Sequence, residues 1–326
     1  RNFDSNTGYR TKSILTFPLK DHEREIIGVL QLINCRDTET NEVIAFNAVD
    51  QHLAESLASQ AAVALTQRRL LNELQQLFEA FIKMIANAID DKSPYTGGHC
   101  RRIPVLTMML AEAVHNDDSG PMKSFVITDK DRYELETAAW LHDCGKVVTP
   151  EFVMDKATKL ETIFDRIHLL EHRYEILLRD AEIEYLKNCL TAERAGESIE
   201  ALTLVYQSTV EQIKSDLAFI QHVNVGGEFM DDDQIERIQS IAAQHWNNML
   251  GQSHPVLESD EVENLCIRRG TLNDKEREVI NYHIVATIKM LESLPFPKHL
   301  QRVPEYAGGH HEKMDGSGYP KGLKKE

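Results

Sequence analysis

Two short apolar runs near the start of the chain have the length and residue types of strands. Residues 13–18 (SILTFP) and 26–33 (IIGVLQLI) lie on either side of the charged segment KDHERE. Short apolar runs that flank a polar turn predict a β-hairpin.

A much longer helical pattern follows the hairpin. Apolar residues recur at helical spacing from about Phe46 to Ile89, and no proline or glycine interrupts them. This length exceeds that of ordinary globular helices, so residues 46–90 are predicted to form a connecting helix. A helix of this kind could pair with a second copy as a coiled coil, and we expect a homodimer.

From Ser93 onward the hydrophobic spacing is helical, and strand patterns are hard to find. Thr271 and Asn273 are the two N-cap candidates for the last long helix. Helices are predicted within residues 93–115, 131–145, 159–194, 197–221, 226–250 and 271–294. The expected fold class is therefore α+β, with a small N-terminal sheet, a long connecting helix and an all-α bundle.

Composition and charge narrow the function classes. The chain has 326 residues, 42% of them hydrophobic and 27% charged, which is typical of a globular protein. A formal net charge of −16 argues against a nucleic-acid polymer or an anionic membrane surface as the main partner. A small anionic substrate would need a local source of positive charge, which a metal cluster could provide.

Cysteine usage and hydropathy indicate the compartment. The five cysteines are widely spaced without a CxxC pair, which argues against a disulfide framework and favours the reducing cytoplasm. No run of about 18 apolar residues predicts a membrane span. Because the sequence begins at Arg1 and stops at KGLKKE, we expect it to be a fragment of a longer protein.

The segment AGGHHEKMDGSGYPKGL (307–323) is the first candidate for chemistry. Adjacent side chains on a helix point about 100° apart, so His310 and His311 cannot both face one core. Two adjacent imidazoles could instead reach one small charged object, although a plain polar loop is an equally weighted interpretation. LHDCGK adds His142 and Asp143, whose imidazole and carboxylate suit Fe, Mn, Co or Zn. A capping aspartate beside a surface histidine is the alternative there.

Two further histidines could complete such a site. His99 follows a TGG turn, and His283 lies within VINYHIVATIKML, one helix and one loop before His310. For His283 alone, a histidine satisfied within the core is an equally fair interpretation.

These motifs together resemble a known family. HDCGK combined with HHEKMDGSGYP, PYTGGH upstream and RGTLNDKEREVINYH between them resembles the HD-GYP subgroup of HD-domain metal-dependent phosphohydrolases. The resemblance covers residues 80–326 apart from a helical insert over about 161–269. It implies an all-α bundle with bound metals that hydrolyses cyclic di-GMP to pGpG or GMP, although some members prefer cyclic GMP-AMP.

The N-terminal part resembles a second family. The strand GVLQLIN and the helix carrying ASQAAVAL are similar to the C-terminal half of a GAF sensory domain, over residues 1–70. Such domains often bind cyclic nucleotides or other small effectors. The resemblances together imply a bacterial signalling phosphodiesterase that the GAF domain regulates.

The HD-GYP resemblance also implies roles for individual residues. Asp143 would bridge two metals, and Lys146 would hold a phosphate oxygen or the hydroxide as the second catalytic group. The implied metal ligands are His99, His142, Asp143, His283, His310 and His311. Two divalent ions are expected, Fe or Mn first and Zn, Co, Ni or Mg as alternatives, with no organic cofactor.

The GYP loop is expected to have supporting roles. Glu312 and Asp315 would orient imidazoles as residues behind the ligands. Gly318 would let the backbone approach the site, and Pro320 would stiffen the loop. With Tyr319, this loop would also dock on GGDEF cyclase domains, as the resemblance implies.

Three departures from the family pattern stand beside these expectations. Tyr95 occupies the position of the glutamate found in members with three metals, so two metals are expected. A further aspartate ligand expected about 28 residues after HHE lies beyond Glu326. The insert carries His168 and His172 at i,i+4 spacing, for which a solvated helix face is favoured over a metal site.

Two alternative functions remain beside the phosphodiesterase. One is a non-catalytic module that recruits a cyclase, and the other is an HD phosphohydrolase for another phosphoester.

Overall fold

The computed structural model describes residues 10–93, 97–227 and 229–324. The chain divides into two compact units, residues 1–81 and 82–326, and each is described by itself. The helix α1 (Ala48–Lys92) begins in the first unit and ends in the second. Within the described residues, no helix has the length and apolar character that a bilayer crossing needs.

The first unit is built on a hairpin. Strands β1 (Ile14–Lys20) and β2 (Ile26–Ile33) pair antiparallel, which confirms the predicted hairpin, and a short pair follows in β3 (Cys35–Arg36) and β4 (Val43–Ile44). The hairpin packs on α1 through a small core in which Leu19 meets Ala58 and Ala62. Small side chains on the helix let the sheet approach closely. The predicted long helix is also confirmed, because α1 continues unbroken for 45 residues.

The second unit is mainly helical. Its longer helices are α2 (His99–His115), α3 (Asp129–Leu141), α5 (Ile167–Ala195), α6 (Glu200–Asn224), α7 (Asp232–Ala242) and α9 (Asp274–Glu292). Short helices complete it at α4 (Glu151–Met154), α8 (Ser259–Leu265) and α10 (Val303–Gly308). The α+β class is confirmed, and the second unit is mainly helical but not all-α, because it contains one short hairpin.

The α9 helix begins at one of the two predicted caps. Asn273 accepts a hydrogen bond from the Glu276 amide, and the Glu276 carboxylate accepts one from the Asn273 amide, which closes a capping box. Thr271 instead donates its hydroxyl to the Lys156 carbonyl. This cap fixes the first turn of the helix that carries His283.

The helix that leads to the His-Asp pair is shorter than predicted. α3 ends at Leu141, and a 3-10 helix (Cys144–Val148) follows, so the predicted continuation to Gly145 is wrong. The Gly145 amide donates to the Thr287 hydroxyl on α9 at 2.9 Å instead of to a carbonyl of α3. The change from α-helix to 3-10 helix thus accompanies a contact between Gly145 and Thr287, which are separated by 142 residues in the sequence.

The insert contains a short hairpin where the sequence pattern predicts a helix. Residues 245–247 form β5 (His245–Asn247), which pairs with β6 (Ser253–Pro255), so the prediction of a helix through residue 250 is wrong. A tight turn replaces the helix, because the Gly251 amide donates to the Asn248 carbonyl.

The start of the insert also differs from prediction. The Lys159 and Leu160 amides donate to Asn224, so the first insert helix starts at Ile167 and not at Lys159. The core of the insert is formed around Leu160, Leu170, Tyr174, Ile220, Ile238 and Leu265.

Candidate metal centre

The carboxylate of Asp143 lies at the centre of the candidate site. Asp143 is buried at the end of α3, and its Oδ2 lies 2.7 Å from Lys146 Nζ, 3.0 Å from His142 Nε2 and 3.4 Å from His99 Nε2. Its other oxygen, Oδ1, lies 3.5 Å from His283 Nε2 and 3.7 Å from His310 Nε2. The two oxygens therefore face two different pairs of imidazoles.

The predicted ligands fall into two groups, each of which could hold a metal ion. His99, His142 and Asp143 form one group, and His283, His310 and His311 form the other. In each group the ligand atoms lie within 4.8 Å of one another. Histidine nitrogens with one shared carboxylate suit borderline divalent metals.

Three of the imidazoles are oriented by the backbone in the same way. Nδ1 of His142 donates to the Ala139 carbonyl at 2.7 Å, Nδ1 of His310 to the Ala307 carbonyl at 2.6 Å, and Nδ1 of His283 to the Ile280 carbonyl. Each carbonyl belongs to the residue three positions earlier. Because a carbonyl only accepts, Nδ1 must carry the proton, and Nε2 of the neutral ring keeps a lone pair for a metal.

Two orphaned atoms test whether a metal fits this site. Asp143 Oδ1 and His283 Nε2 are buried without a hydrogen-bond partner, and they face each other. In proteins most buried polar atoms are paired. Asp143 Oδ1 and His283 Nε2 are both acceptors that a cation would satisfy. The residues present therefore fit a divalent metal.

The pKa values of these groups also favour metal binding. Burial lowers the pKa of His310 to about 4, and it lowers the pKa of His99, His283 and His311 as well. Burial alone would raise the pKa of Asp143, but its contacts with His142 and Lys146 hold it well below its usual value. Neutral imidazoles around an ionised carboxylate are the protonation states that a metal requires.

The 3-10 helix that carries Lys146 is held by a residue that sequence reasoning missed. Lys92 donates to the carbonyls of Lys146 at 3.1 Å, Val147 at 2.8 Å and Thr149 at 2.5 Å. A lysine that reaches unpaired carbonyls at the end of a helical turn stabilises that end. No local signal marks this role, because the contact spans more than 50 residues.

The contacts of the GYP loop lie mostly within the loop. Glu312 accepts from the amides of Lys321 at 2.6 Å and Leu323 at 2.8 Å, and Asp315 accepts from the Ser317 amide and hydroxyl. Both residues therefore close the loop, and in the described residues these hydrogen bonds do not reach an imidazole.

Tyr319 and Gly318 connect this loop to the site. The Tyr319 ring stacks on His311 with centroids 4.7 Å apart, and its peptide bond to Pro320 is cis. A Cβ on Gly318 would lie 2.6 Å from the His311 carbonyl oxygen and 2.5 Å from Glu312 Cα, so the close approach requires glycine. Docking of a GGDEF domain on this loop stays a prediction, and Tyr95 lies outside the described residues.

Comparison with known protein families gives two matches. A GAF domain model matches residues 1–65, and an HD domain model matches residues 259–326. The chain carries a GAF domain and an HD domain. The HD match includes His283, His310 and His311, while the other three candidate ligands precede the matched residues.

Two curated relatives are phosphodiesterases by name. The 3'3'-cGAMP-specific phosphodiesterase 3 of Vibrio cholerae is 36% identical over 89 residues, which is 26% of this chain and 17% of that protein. The dual 3',5'-cyclic-AMP and -GMP phosphodiesterase 11 of Drosophila melanogaster is 35% identical over 72 residues, or 22% of this chain and 5% of that protein. The chain thus matches a small part of the length of either relative.

A cavity of about 440 Å³ opens beside the candidate ligands of the second unit. His99, His142, Asp143 and Lys146 form its polar side, and Ile103 and Leu135 contribute an apolar side. This combination suits a ligand with a charged group and a flat apolar part.

The insert histidines do not form a comparable site. His168 Nδ1 lies 2.8 Å from Glu171 Oε2, and His172 Nδ1 lies 2.5 Å from the His168 carbonyl. In the described parts of the insert no group of three ligand atoms includes either histidine. Their contacts fit the expected solvated helix face.

A buried ion pair connects two helices of the second unit that lead to candidate ligands. Glu134 on α3 is buried and accepts from the Arg302 amide at 2.7 Å and from its Nε at 2.8 Å, at the start of α10. His142 follows α3, and the Ala307 carbonyl of α10 orients His310. This pair therefore helps to set the distance between the two groups of ligands.

We expect Glu134→Ala to lower the free energy of unfolding by about 2–3 kcal/mol. This loss is smaller than the loss expected when a fully buried ion pair is broken, because Arg302 is half exposed. Chemical denaturation measures this change, and elemental analysis should show weaker metal retention. Glu136→Ala makes the same chemical change on the exposed face of α3, and it should stay within about 0.5 kcal/mol of the unsubstituted protein. Equal effects of the two substitutions would contradict a positioning role for Glu134.

Proposed function

We propose that the protein is a metal-dependent phosphodiesterase that hydrolyses a cyclic dinucleotide, with cyclic di-GMP and 3'3'-cGAMP as candidate substrates. The observation that carries this proposal is the position of Asp143, whose two oxygens face two groups of histidine nitrogens. The HD domain match and the phosphodiesterase names of the relatives support it.

The arrangement supports two metal positions that share Asp143. His99 and His142 would hold one ion, and His283, His310 and His311 the other. Fe or Mn are proposed first, and Zn, Co, Ni or Mg are the alternatives. Bound divalent ions would neutralise the phosphodiester charge and lower the pKa of the attacking water.

The chain's own residues would place the substrate. Lys146 lines the cavity beside Asp143, and its ammonium would contact a non-bridging phosphate oxygen as a compact positive charge. The apolar side of the cavity, with Ile103 and Leu135, would exclude water and receive a base. Local positive charge is required because the whole chain carries a net charge of −16.

The test is hydrolysis of cyclic di-GMP, 3'3'-cGAMP and a linear phosphodiester by the metal-loaded protein, followed by chromatography of the products. We expect cyclic dinucleotide turnover, and we expect His142→Ala to lose both metal and turnover. Lys146→Ala should retain the metal and lose turnover by about 100-fold, because a charge at the transition state is removed. Hydrolysis of the linear ester alone would favour the other-phosphoester alternative. Absence of turnover, above all without bound metal, would favour the binding module.

We also propose that the GAF domain regulates this activity through α1. The support is the continuity of that helix from Ala48 to Lys92, together with the contacts of Lys92 to the 3-10 helix of Lys146. If cyclic GMP or cyclic AMP changes turnover in the unsubstituted protein, Leu70→Pro should abolish that change, because proline breaks a helix interior. Turnover that still responds in the Leu70→Pro protein would contradict coupling through α1.

A further inference from the structure

The insert contains a second cavity, of about 280 Å³, that shares no lining residue with the cavity beside the metal centre. Its walls come from the end of α6, the segment that follows α6, the first turn of α7 and Lys159. Its volume lies close to the lower limit of about 300 Å³ for small-molecule sites. A ligand could therefore bind here without touching the candidate metal ligands.

Lys159 brings a buried positive charge to this cavity. The residue is 1% exposed, and its Nζ donates to the Leu265 carbonyl at 2.9 Å and lies 4.0 Å from Met230 Sδ. Burial lowers the pKa of Lys159 to about 8, so the amine remains mostly protonated at pH 7. Neither a carbonyl nor a thioether balances this charge.

Lys156 shows how a buried lysine is paired elsewhere in the same unit. Its Nζ lies 2.8 Å from both carboxylate oxygens of Glu276 and 2.9 Å from the side-chain oxygen of Asn264. Lys159 follows three residues later, and in the part of the chain that the structure describes no carboxylate forms an ion pair with it. Because a buried charge without a counterion is costly, a bound anion would stabilise Lys159.

Gln234 adds a neutral donor to the same cavity. Its side-chain oxygen accepts from the Asp231 amide at 3.1 Å, and its backbone amide donates to Asp231 Oδ1 at 2.8 Å. This capping box holds the side chain and leaves its NH2 group free to donate to a ligand. An ammonium and an amide NH2 group together suit the two oxygens of a carboxylate.

The remaining walls favour an apolar tail. Val225 and Phe229 line the cavity and are 62% and 68% exposed, so a bound tail would cover apolar surface that now faces water. His222 also lines the cavity but is exposed, which leaves Lys159 as the buried charge of the lining. One such charge matches a monoanionic carboxylate better than a phosphate group, whose charge is about −1.5 to −2.

Backbone hydrogen bonds hold these walls in place. The Lys159 amide donates to the Asn224 carbonyl at 2.8 Å, and the Met230 amide donates to the Arg268 carbonyl at 3.0 Å. A site that is already formed loses little affinity to ordering. We propose that this cavity binds a small monocarboxylate with an apolar tail, whose carboxylate contacts the Lys159 ammonium and the Gln234 amide.

The first test is isothermal titration calorimetry of the full chain with hexanoate, and with hexan-1-ol as a neutral molecule of similar size. We expect hexanoate to bind with a Kd of about 1 mM or tighter. Hexan-1-ol should bind at least about 10-fold more weakly, because it cannot pair with the ammonium. Hexanoate that does not bind at about 10 mM, or hexan-1-ol that binds as tightly, would overturn the proposal.

The second test removes the charge. Lys159→Met keeps the length of the side chain and should weaken hexanoate binding by at least about 10-fold. Its Tm should not fall, because an apolar group replaces a buried charge that lacks a counterion. Lys214→Met makes the same change at an exposed position of α6 and should leave the Kd within about twofold. Equal affinity of Lys159→Met and the unsubstituted protein would overturn the proposal.

Two further variants locate the bound carboxylate. Hexanoate could also bind at the metal centre, so His142→Ala should retain the affinity of the unsubstituted protein. Glu228 lies outside the described residues, and Glu228→Gln should change the Kd by less than about fivefold. Loss of binding in His142→Ala would place the carboxylate at the metal centre, and binding confined to Glu228→Gln would show that Lys159 already has a carboxylate partner. Either result would overturn the proposal.

Discussion

Replacing Asp143 with asparagine is expected to remove metal binding and to lower turnover by at least about 1,000-fold. Substitution of a residue that only hydrogen-bonds to a metal ligand typically lowers metal affinity or activity by roughly 10- to 100-fold. Both carboxylate oxygens face imidazole nitrogens, so one substitution changes both groups of candidate ligands. The asparagine side chain presents one oxygen and one NH2 group, and the NH2 group would point at a metal. Elemental analysis and cyclic dinucleotide hydrolysis on the same sample measure the two losses.

A control separates this effect from loss of a carboxylate in general. Asp129→Asn changes a fully exposed side chain at the start of α3, the helix that leads to Asp143. It should leave metal content unchanged and turnover within about twofold, because exposed ion pairs contribute little. Full metal content in Asp143→Asn would contradict the central role of Asp143.

Replacing Gly145 with alanine is expected to lower the free energy of unfolding by about 3 kcal/mol, or roughly 6–12 °C in Tm. A Cβ at this position would overlap the His283 carbonyl oxygen and lie 2.5 Å from the Thr287 amide nitrogen. These are backbone atoms of α9, so the helix itself must move. Because His283 lies on that helix, metal content should fall as well.

Gly227→Ala is the matched control for this substitution. A Cβ at Gly227 meets nothing within 4 Å, and the residue is not in the left-handed region. Its Tm should therefore change by less than about 2 °C. A Gly145→Ala protein with unchanged Tm and metal content would show that α9 can move away from the 3-10 helix at little cost.

The sequence predicted the elements that depend on local pattern. The hairpin and α1 follow from runs of strand and helical spacing. Asn273 was one of two cap candidates, and the structure decides between them. Errors occurred where distant contacts decide the structure. His245–Asn247 continues a helical pattern but pairs with β6, and Gly145 bonds to Thr287 on another helix.

The candidate ligands were predictable through motif resemblance, but the residues that hold those ligands in place were not. Spacing alone left a core histidine as an equal interpretation of His283, whose Nε2 the structure places 3.5 Å from Asp143 Oδ1. The ion pair of Glu134 with Arg302 and the contacts of Lys92 join residues far apart in sequence. A single sequence read by itself gives no signal for such pairs.

Metal stoichiometry tests the central claim most directly. The measurement is elemental analysis by mass spectrometry on protein purified without oxygen, together with the same analysis of His142→Ala and His283→Ala. The account predicts about two divalent ions per chain, and fewer in each variant, because each substitution changes a different group of ligands. A protein that binds no metal under these conditions, or that keeps full occupancy in both variants, would contradict it.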